Sequence, residues 1–290
     1  MGKNALVLGG GGALGVAWET GILMGLLDAG VDVTGADLIV GTSAGSIVGT
    51  HVAAGRTIED LIARQNAPDD GQTLRLIAQI DFAASRNLWT RWAGITEITP
   101  TTRAEIGQMA LEAKTAPEEL WVGMFREQLE GIAWPDRALI LTAVDCASGD
   151  FQQWNRESGV DITLAVASSC AVPGLFPAVT INGKRYTDGG LRSGTSADLA
   201  SGYDAVLIVA PIGARPDGID PILGRQARAE AEALRAAGSQ VELVFPEGDA
   251  IELMGSRMDV SKRGPAAEAG IRQAKALAPR LADAWAKAAV

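Results

Sequence analysis

Asp37-Leu38-Ile39-Val40-Gly41-Thr42-Ser43-Ala44-Gly45-Ser46-Ile47-Val48 joins an apolar run to a helix-forming run across a single Gly-x-Ser-x-Gly pentad. The apolar run over 37–40 reads as a buried strand and 43–54 as a helix. A serine on so tight a strand-to-helix turn is the pattern of a nucleophile elbow, which lifts Oγ clear of the backbone. Serine before a helix is also a good N-cap, so a purely structural reading stands beside the chemical one.

Reading outward, residues 5–8 form another short apolar strand. It ends in Gly9-Gly10-Gly11-Gly12-Ala13-Leu14-Gly15, and a helix follows over 15–28 with Gly30 as its stop. Strand, loop, helix, strand, turn and helix in that order predict a largely parallel sheet. Residues 56–135 read as helical, with segments at 58–64, 74–82, 103–113 and 118–129. Trp89, Trp92, Trp121 and Trp134 in this region either pack helices on the sheet or form a cap over an apolar pocket. Strands resume at 138–144, with 151–154 as hairpin partner, and a short helix follows over 162–168. Asn182-Gly183 between 179–181 and 184–187 predicts a second hairpin. Strands at 205–209 and 241–245 flank a helix over 221–237. An alanine-rich helix over 264–289, interrupted at Pro279, closes the sequence. No repeat or low-complexity linker divides the chain, so residues 1–290 read as one α/β domain of three-layer type.

Composition narrows the partners. The formal charge is −10 over 290 residues, and no Lys/Arg run is present to neutralise phosphates, which argues against nucleic acid. It also argues against electrostatic docking to an anionic bilayer, leaving at most peripheral, apolar membrane contact. Cys146 and Cys170 make neither a disulfide framework nor a zinc site. With no secretory signal or membrane span legible, the expected location is the cytoplasm.

The chain has one histidine, His51, eight residues beyond Ser43. On one helix that is about 12 Å of rise, too far for proton transfer. A nucleophilic Ser43 therefore needs another base. Asp188, in Asp188-Gly189-Gly190 at a strand end, is a candidate, although such an aspartate can equally be a turn former. Its reference pKa is about 2.6 below that of histidine, roughly 3.5 kcal/mol of basicity. Burial beside an apolar pocket would recover part of that. The glycine run has two readings. Gly10, Gly12 and Gly15 fit a dinucleotide fingerprint, but no acid stands at the end of the second strand to hold a ribose. Alternatively, a row of bare backbone N–H groups at a helix N-terminus can hold an oxyanion.

Taken together, these blocks resemble the patatin-like phospholipases. The resemblance rests on Gly9–Gly15, the elbow 41–45, Ala167-Ser168-Ser169-Cys170-Ala171-Val172-Pro173 and Asp188-Gly189-Gly190, in matching order and spacing across residues 6–190. It implies a patatin-like α/β/α fold and hydrolysis of lipid acyl esters without metal or cofactor, through an acyl-enzyme. Ser43 would be the nucleophile and Asp188 the proton acceptor. Gly10, Gly11, Gly12 and Ala44 would form the oxyanion hole, with Gly15, Gly41, Gly45, Gly189 and Gly190 shaping the motifs. The family usually carries Arg or Lys where this chain has Leu14. After Asp188-Gly189-Gly190 the family often continues to an asparagine and a proline, whereas Leu191-Arg192-Ser193-Gly194-Thr195 follows here. Arg192 is therefore a candidate for the missing charge, or simply a structural arginine. A catalytically silent lipid-binding protein on the same fold is the competing class.

Overall fold

In the computed structural model, residues 2–68, 71–213 and 222–289 are described. The strands are β1 (Asn4–Leu8), β2 (Leu38–Gly41), β3 (Ala138–Asp145), β4 (Phe151–Trp154), β5 (Val179–Ile181), β6 (Lys184–Asp188), β7 (Ala205–Val209) and β8 (Gln240–Val244). The helices are α1 (Gly12–Asp28), α2 (Ala44–Ala53), α3 (Ile58–Asn66), α4 (Gln72–Ile77), α5 (Phe82–Ala93), α6 (Pro100–Glu112), α7 (Glu118–Gln128), α8 (Ile162–Ser169), α9 (Ile222–Ala236), α10 (Asp249–Met254) and α11 (Arg263–Ala289).

The strands form one sheet ordered β5-β6-β3-β2-β1-β7-β8, with β4 paired to β3. β3, β2, β1, β7 and β8 are mutually parallel, and β4, β5 and β6 add an antiparallel margin. β1, β2 and β7 are short and apolar because both their faces are buried, whereas β8 at the margin is only partly covered. Alternation along them feeds two cores. Leu6, Leu8, Ile39 and Leu207 face one core, and Ala5, Val7, Val40 and Ile208 face the other. The first core holds α1, α2, α7, α8 and α11, and the second is covered by α9, which gives the three-layer α/β/α arrangement. A third cluster, with Leu88, Ile106 and Val144, packs α5 and α6 against the end of β3.

Three elements differ from expectation. The helix expected over 74–82 is two helices, α4 and α5, with a break between Ile77 and Phe82. Asp81 stands just before α5, where its residue type favours a helix start. Apolar positions at Leu88, Trp89 and Trp92 continue the helical period beyond the break. The terminal helix is continuous, with Pro279 inside it. An interior proline costs ~3 kcal/mol, and the packing of α11 along α1 offsets it. That packing is backbone-close: a Cβ at Gly21 would lie 2.1 Å from the Ala267 carbonyl, and one at Gly270 would lie 2.4 Å from that of Trp18. The helix α10, six residues long, is too short to register as a period. The expected start of the 221–237 helix, Pro221, lies outside the described residues, and α9 is described from Ile222.

Candidate active site

The site lies at the C-terminal ends of β1 and β2, where ligands bind in open parallel sheets. Gly45 sets the elbow. Its N–H donates to the Gly9 carbonyl at 2.9 Å, and a Cβ there would lie 2.0 Å from the Leu8 carbonyl. Only glycine lets α2 cross β1 so closely. Ser43 sits at φ 53°, ψ −117°, a conformation that L-residues avoid unless the surroundings impose it. Its side chain makes no capping hydrogen bond to α2, so the N-cap reading does not account for this serine. Its backbone is held instead: the N–H donates to Ser169 Oγ at 3.0 Å, and the carbonyl accepts from Ser46 Oγ at 2.6 Å and Cys170 Sγ at 3.2 Å. Burial pushes the Cys170 thiol far up, so it acts as a weak neutral donor.

Sheet register brings Asp188 to the elbow. Gly41 is level with Leu141 on β3, and Asp188 lies opposite Ala143 on the same strand. Between them, Thr42 and Thr142 share a hydroxyl hydrogen bond of 2.7 Å. The 167–173 segment clamps both partners. Ser169 and Cys170 hold Ser43, while the Ala171 carbonyl accepts from the Asp188 N–H at 3.0 Å and from Thr187 Oγ1 at 2.6 Å. Asp188 is buried. Oδ1 accepts from the Gly190 N–H at 2.7 Å, and Oδ2 has no settled partner. Burial lifts the carboxyl from an ordinary 3.8 to about 7, against the pull of the Gly190 amide and of the nearby Ser43 hydroxyl.

The glycine run lies across from Ser43: a Cβ at Gly10 would meet Ser43 Cβ at 3.4 Å. The N–H of Gly10 is already donated to the Gly194 carbonyl at 2.8 Å, and that of Leu14 to the Arg257 carbonyl at 3.0 Å. Among the described residues, the N–H groups of Gly11, Gly12 and Ala44 donate to no protein acceptor. Leu14 itself is fully buried in the core, and Arg257 and Met258 cover Gly12. Arg192 spends two guanidinium nitrogens on Asp198 at 2.7 Å each and stacks on Phe151, so its role is structural.

Ser43 opens into a cavity of about 300 Å³ that runs along α2 and is walled by α1, α3, α7 and the 170–176 loop. Trp121 joins both readings of the tryptophans. Its Nε1 donates to the Ala167 carbonyl at 3.0 Å, and its ring stacks on Phe176 in the cavity wall. Trp89, by contrast, braces the Pro173 carbonyl at 3.0 Å and does not line the cavity. His51 does line it, on the same face of α2 as Ser43 and two turns away. Burial, with Arg64 and Arg56 nearby, pushes its pKa down to about 4, so it is neutral at pH 7. Sequence spacing places His51 out of reach of Ser43 but gives no sign that both face one cavity. Glu19 is not legible in the sequence either: it is fully buried on α1, neither carboxylate oxygen has a settled partner, and burial raises its pKa well above the ordinary value. Among the described residues, no three His, Cys, Asp or Glu side chains converge as a metal site would need, and no helix is long and apolar enough to cross a membrane.

The family profile described as patatin-like phospholipase matches residues 6–201. The chain belongs to that family. Its matched region ends before β7, yet β7 and β8 complete the same sheet and α11 packs on α1. Among solved structures the chain is similar to VipD from Legionella pneumophila, at 12% identity and TM-score 0.41, covering 94% of this chain and 67% of that one. It is also similar to ExoU from the type III secretion system of Pseudomonas aeruginosa, solved with SpcU, at 18% identity and TM-score 0.34, covering 93% of this chain and 53% of that one. The chain thus spans about half the length of ExoU. No curated protein matches it.

Proposed function

We propose that this patatin-like chain, acting as one domain, hydrolyses lipid acyl esters through a Ser43–Asp188 dyad that needs no metal. The observation that carries this reading is the pairing of two features at one elbow. Ser43, which lines the cavity, is held at a positive φ without a capping role, and the buried carboxylate of Asp188 stands within reach of its hydroxyl. Oδ2 of Asp188 is the acceptor for the Ser43 proton as Oγ attacks the ester carbonyl. A pKa near 7 brings this carboxylate close to histidine in basicity, which meets the objection that aspartate is a weak base. The oxyanion that forms is met by the open N–H groups of Gly11, Gly12 and Ala44, at the positive end of α1 and beside the elbow. Gly10 serves this loop by its lack of a side chain rather than as a donor. Protonated Asp188 then gives its proton to the departing alkoxide. Water attacks the acyl-serine, with Asp188 again as base. The apolar wall of Val16, Ile47, Phe125 and Phe176 suits an acyl chain.

Ser43→Ala is expected to abolish both ester hydrolysis and labelling by a fluorophosphonate probe. Undiminished turnover of a short acyl ester by that variant would overturn the reading.

A further inference from the structure

The cavity that holds Ser43 is apolar along most of its wall but carries two guanidinium groups, Arg64 and Arg263. They are neighbours. Arg64 is in the last turn of α3. Arg263 Nη2 donates to the carbonyl of Ala67, the residue that ends that helix, at 2.9 Å, and its Nε donates to the Val260 carbonyl at 3.2 Å. One helical turn, about 5 Å, separates the backbones of residues 64 and 67. Backbone carbonyls fix Arg263, but no carboxylate neutralises it among the described residues. Arg64 has neither a hydrogen bond nor an ion pair there. Two unneutralised cations against one cavity are unexpected in a chain of net charge −10. His51, close to Arg64, also faces the cavity; it is 3% exposed, and among the described residues its Nδ1 has no hydrogen-bond partner.

We propose that Arg64 and Arg263, backed by His51, form an anion-binding subsite that receives a phosphate or carboxylate carried by the acyl-ester substrate. This rests on the reading of Ser43 as the nucleophile that opens the same cavity. It places positive charge on the α3 and α11 walls of the cavity, with Arg64 near His51, rather than at the glycine loop, where Leu14 is buried in the core. Guanidinium groups suit the task because their planar N–H donors match carboxylate and phosphate oxygens. His51, neutral at pH 7, has a nitrogen to offer without a second charge to desolvate.

Binding of ether analogues tests the subsite without any bond being cleaved. 1-O-Dodecylglycerol is the neutral probe. 1-O-Dodecylglycerol 3-phosphate carries the anion on the head group, and the glycerol ether of 12-hydroxydodecanoic acid carries a carboxylate at the far end of the chain. Isothermal titration of the full chain should give about fivefold to tenfold tighter binding for one anionic probe than for the neutral one. The favoured probe identifies the source of the anion. Arg64 is exposed and unbonded, so its variants should keep the fold. Arg64→Gln should abolish the preference, Arg64→Lys should keep part of it, and Arg64→Glu should reverse it. Equal affinity of all three ethers for the wild type, or a preference unchanged in Arg64→Gln, would overturn the proposal. Because no ether is hydrolysed, this result is independent of the fluorophosphonate test on Ser43, and either reading can fail alone.

Discussion

Replacing Asp188 by asparagine should inactivate the protein and stabilise it, and the stabilisation should grow with pH. In the folded chain burial holds the Asp188 carboxyl at about 7. In the unfolded chain an aspartate titrates near ~3.9. The folded state therefore keeps a proton that the unfolded state has released. The stability this group contributes is fully present below about pH 4 and is lost as pH rises through about 7. The gap is about three pH units at about 1.4 kcal/mol each, so the wild type loses about 4 kcal/mol across that window. About a third of the loss has already occurred at pH 5. The asparagine amide in Asp188→Asn cannot ionise, keeps an oxygen for the Gly190 N–H and avoids the loss. Glu19 has a pH dependence of the same sign, but it is present in both proteins and cancels in the difference. The advantage of the variant should therefore rise by about 2–3 kcal/mol between pH 5 and pH 8. For 290 residues, with an unfolding entropy near 0.6 kcal/mol per degree, that corresponds to roughly 4 °C in Tm. Calorimetry of both proteins at the two pH values measures it, and an ester assay follows the loss of activity. A Tm difference that is the same at pH 5 and pH 8 would refute the reasoning, because it would mean that burial does not raise the Asp188 pKa.

Wild-type kcat/KM should rise with pH through a single ionisation near 7, as Asp188 loses its proton. In His51→Gln that midpoint should stay near 7, because His51 titrates at about 4; a midpoint that moves with this substitution would return histidine to the mechanism. Pro279→Ala should restore the missing hydrogen bond to the Lys275 carbonyl within α11 and stabilise the chain by about 1–3 kcal/mol. Urea unfolding measures it, and a loss of stability would mean that the proline relieves a crowded contact.

The short apolar runs before the glycine loop and the elbow are β1 and β2; β1 begins one residue earlier than its pattern suggests, and β2 is displaced by one residue toward the elbow. Asn182-Gly183 turns the β5–β6 hairpin with Asn182 at φ 50° and Gly183 at φ 78°. These features are legible because turn chemistry and the apolar period act over a few residues. The break between α4 and α5 and the unbroken α11 are not legible. Both depend on what the helix packs against, which local propensity does not record.

Ser43, Asp188 and the glycine loop are each visible in the sequence, since each needs a particular residue type at a particular turn. The single histidine, out of reach along its own helix, by itself sets aside a histidine base and sends the search to other side chains. Tertiary structure decides how these parts meet. Sheet register sets Asp188 beside Ser43, and only burial in that fold raises its pKa to about 7. Carbonyls of the fold take the amides of Gly10 and Leu14 and leave those of Gly11, Gly12 and Ala44 open. One cavity joins Ser43 to His51, Arg64 and Arg263. Desolvation, hydrogen-bond occupancy and shared cavity walls are properties of packing between distant segments, and a sequence read along its length does not contain them.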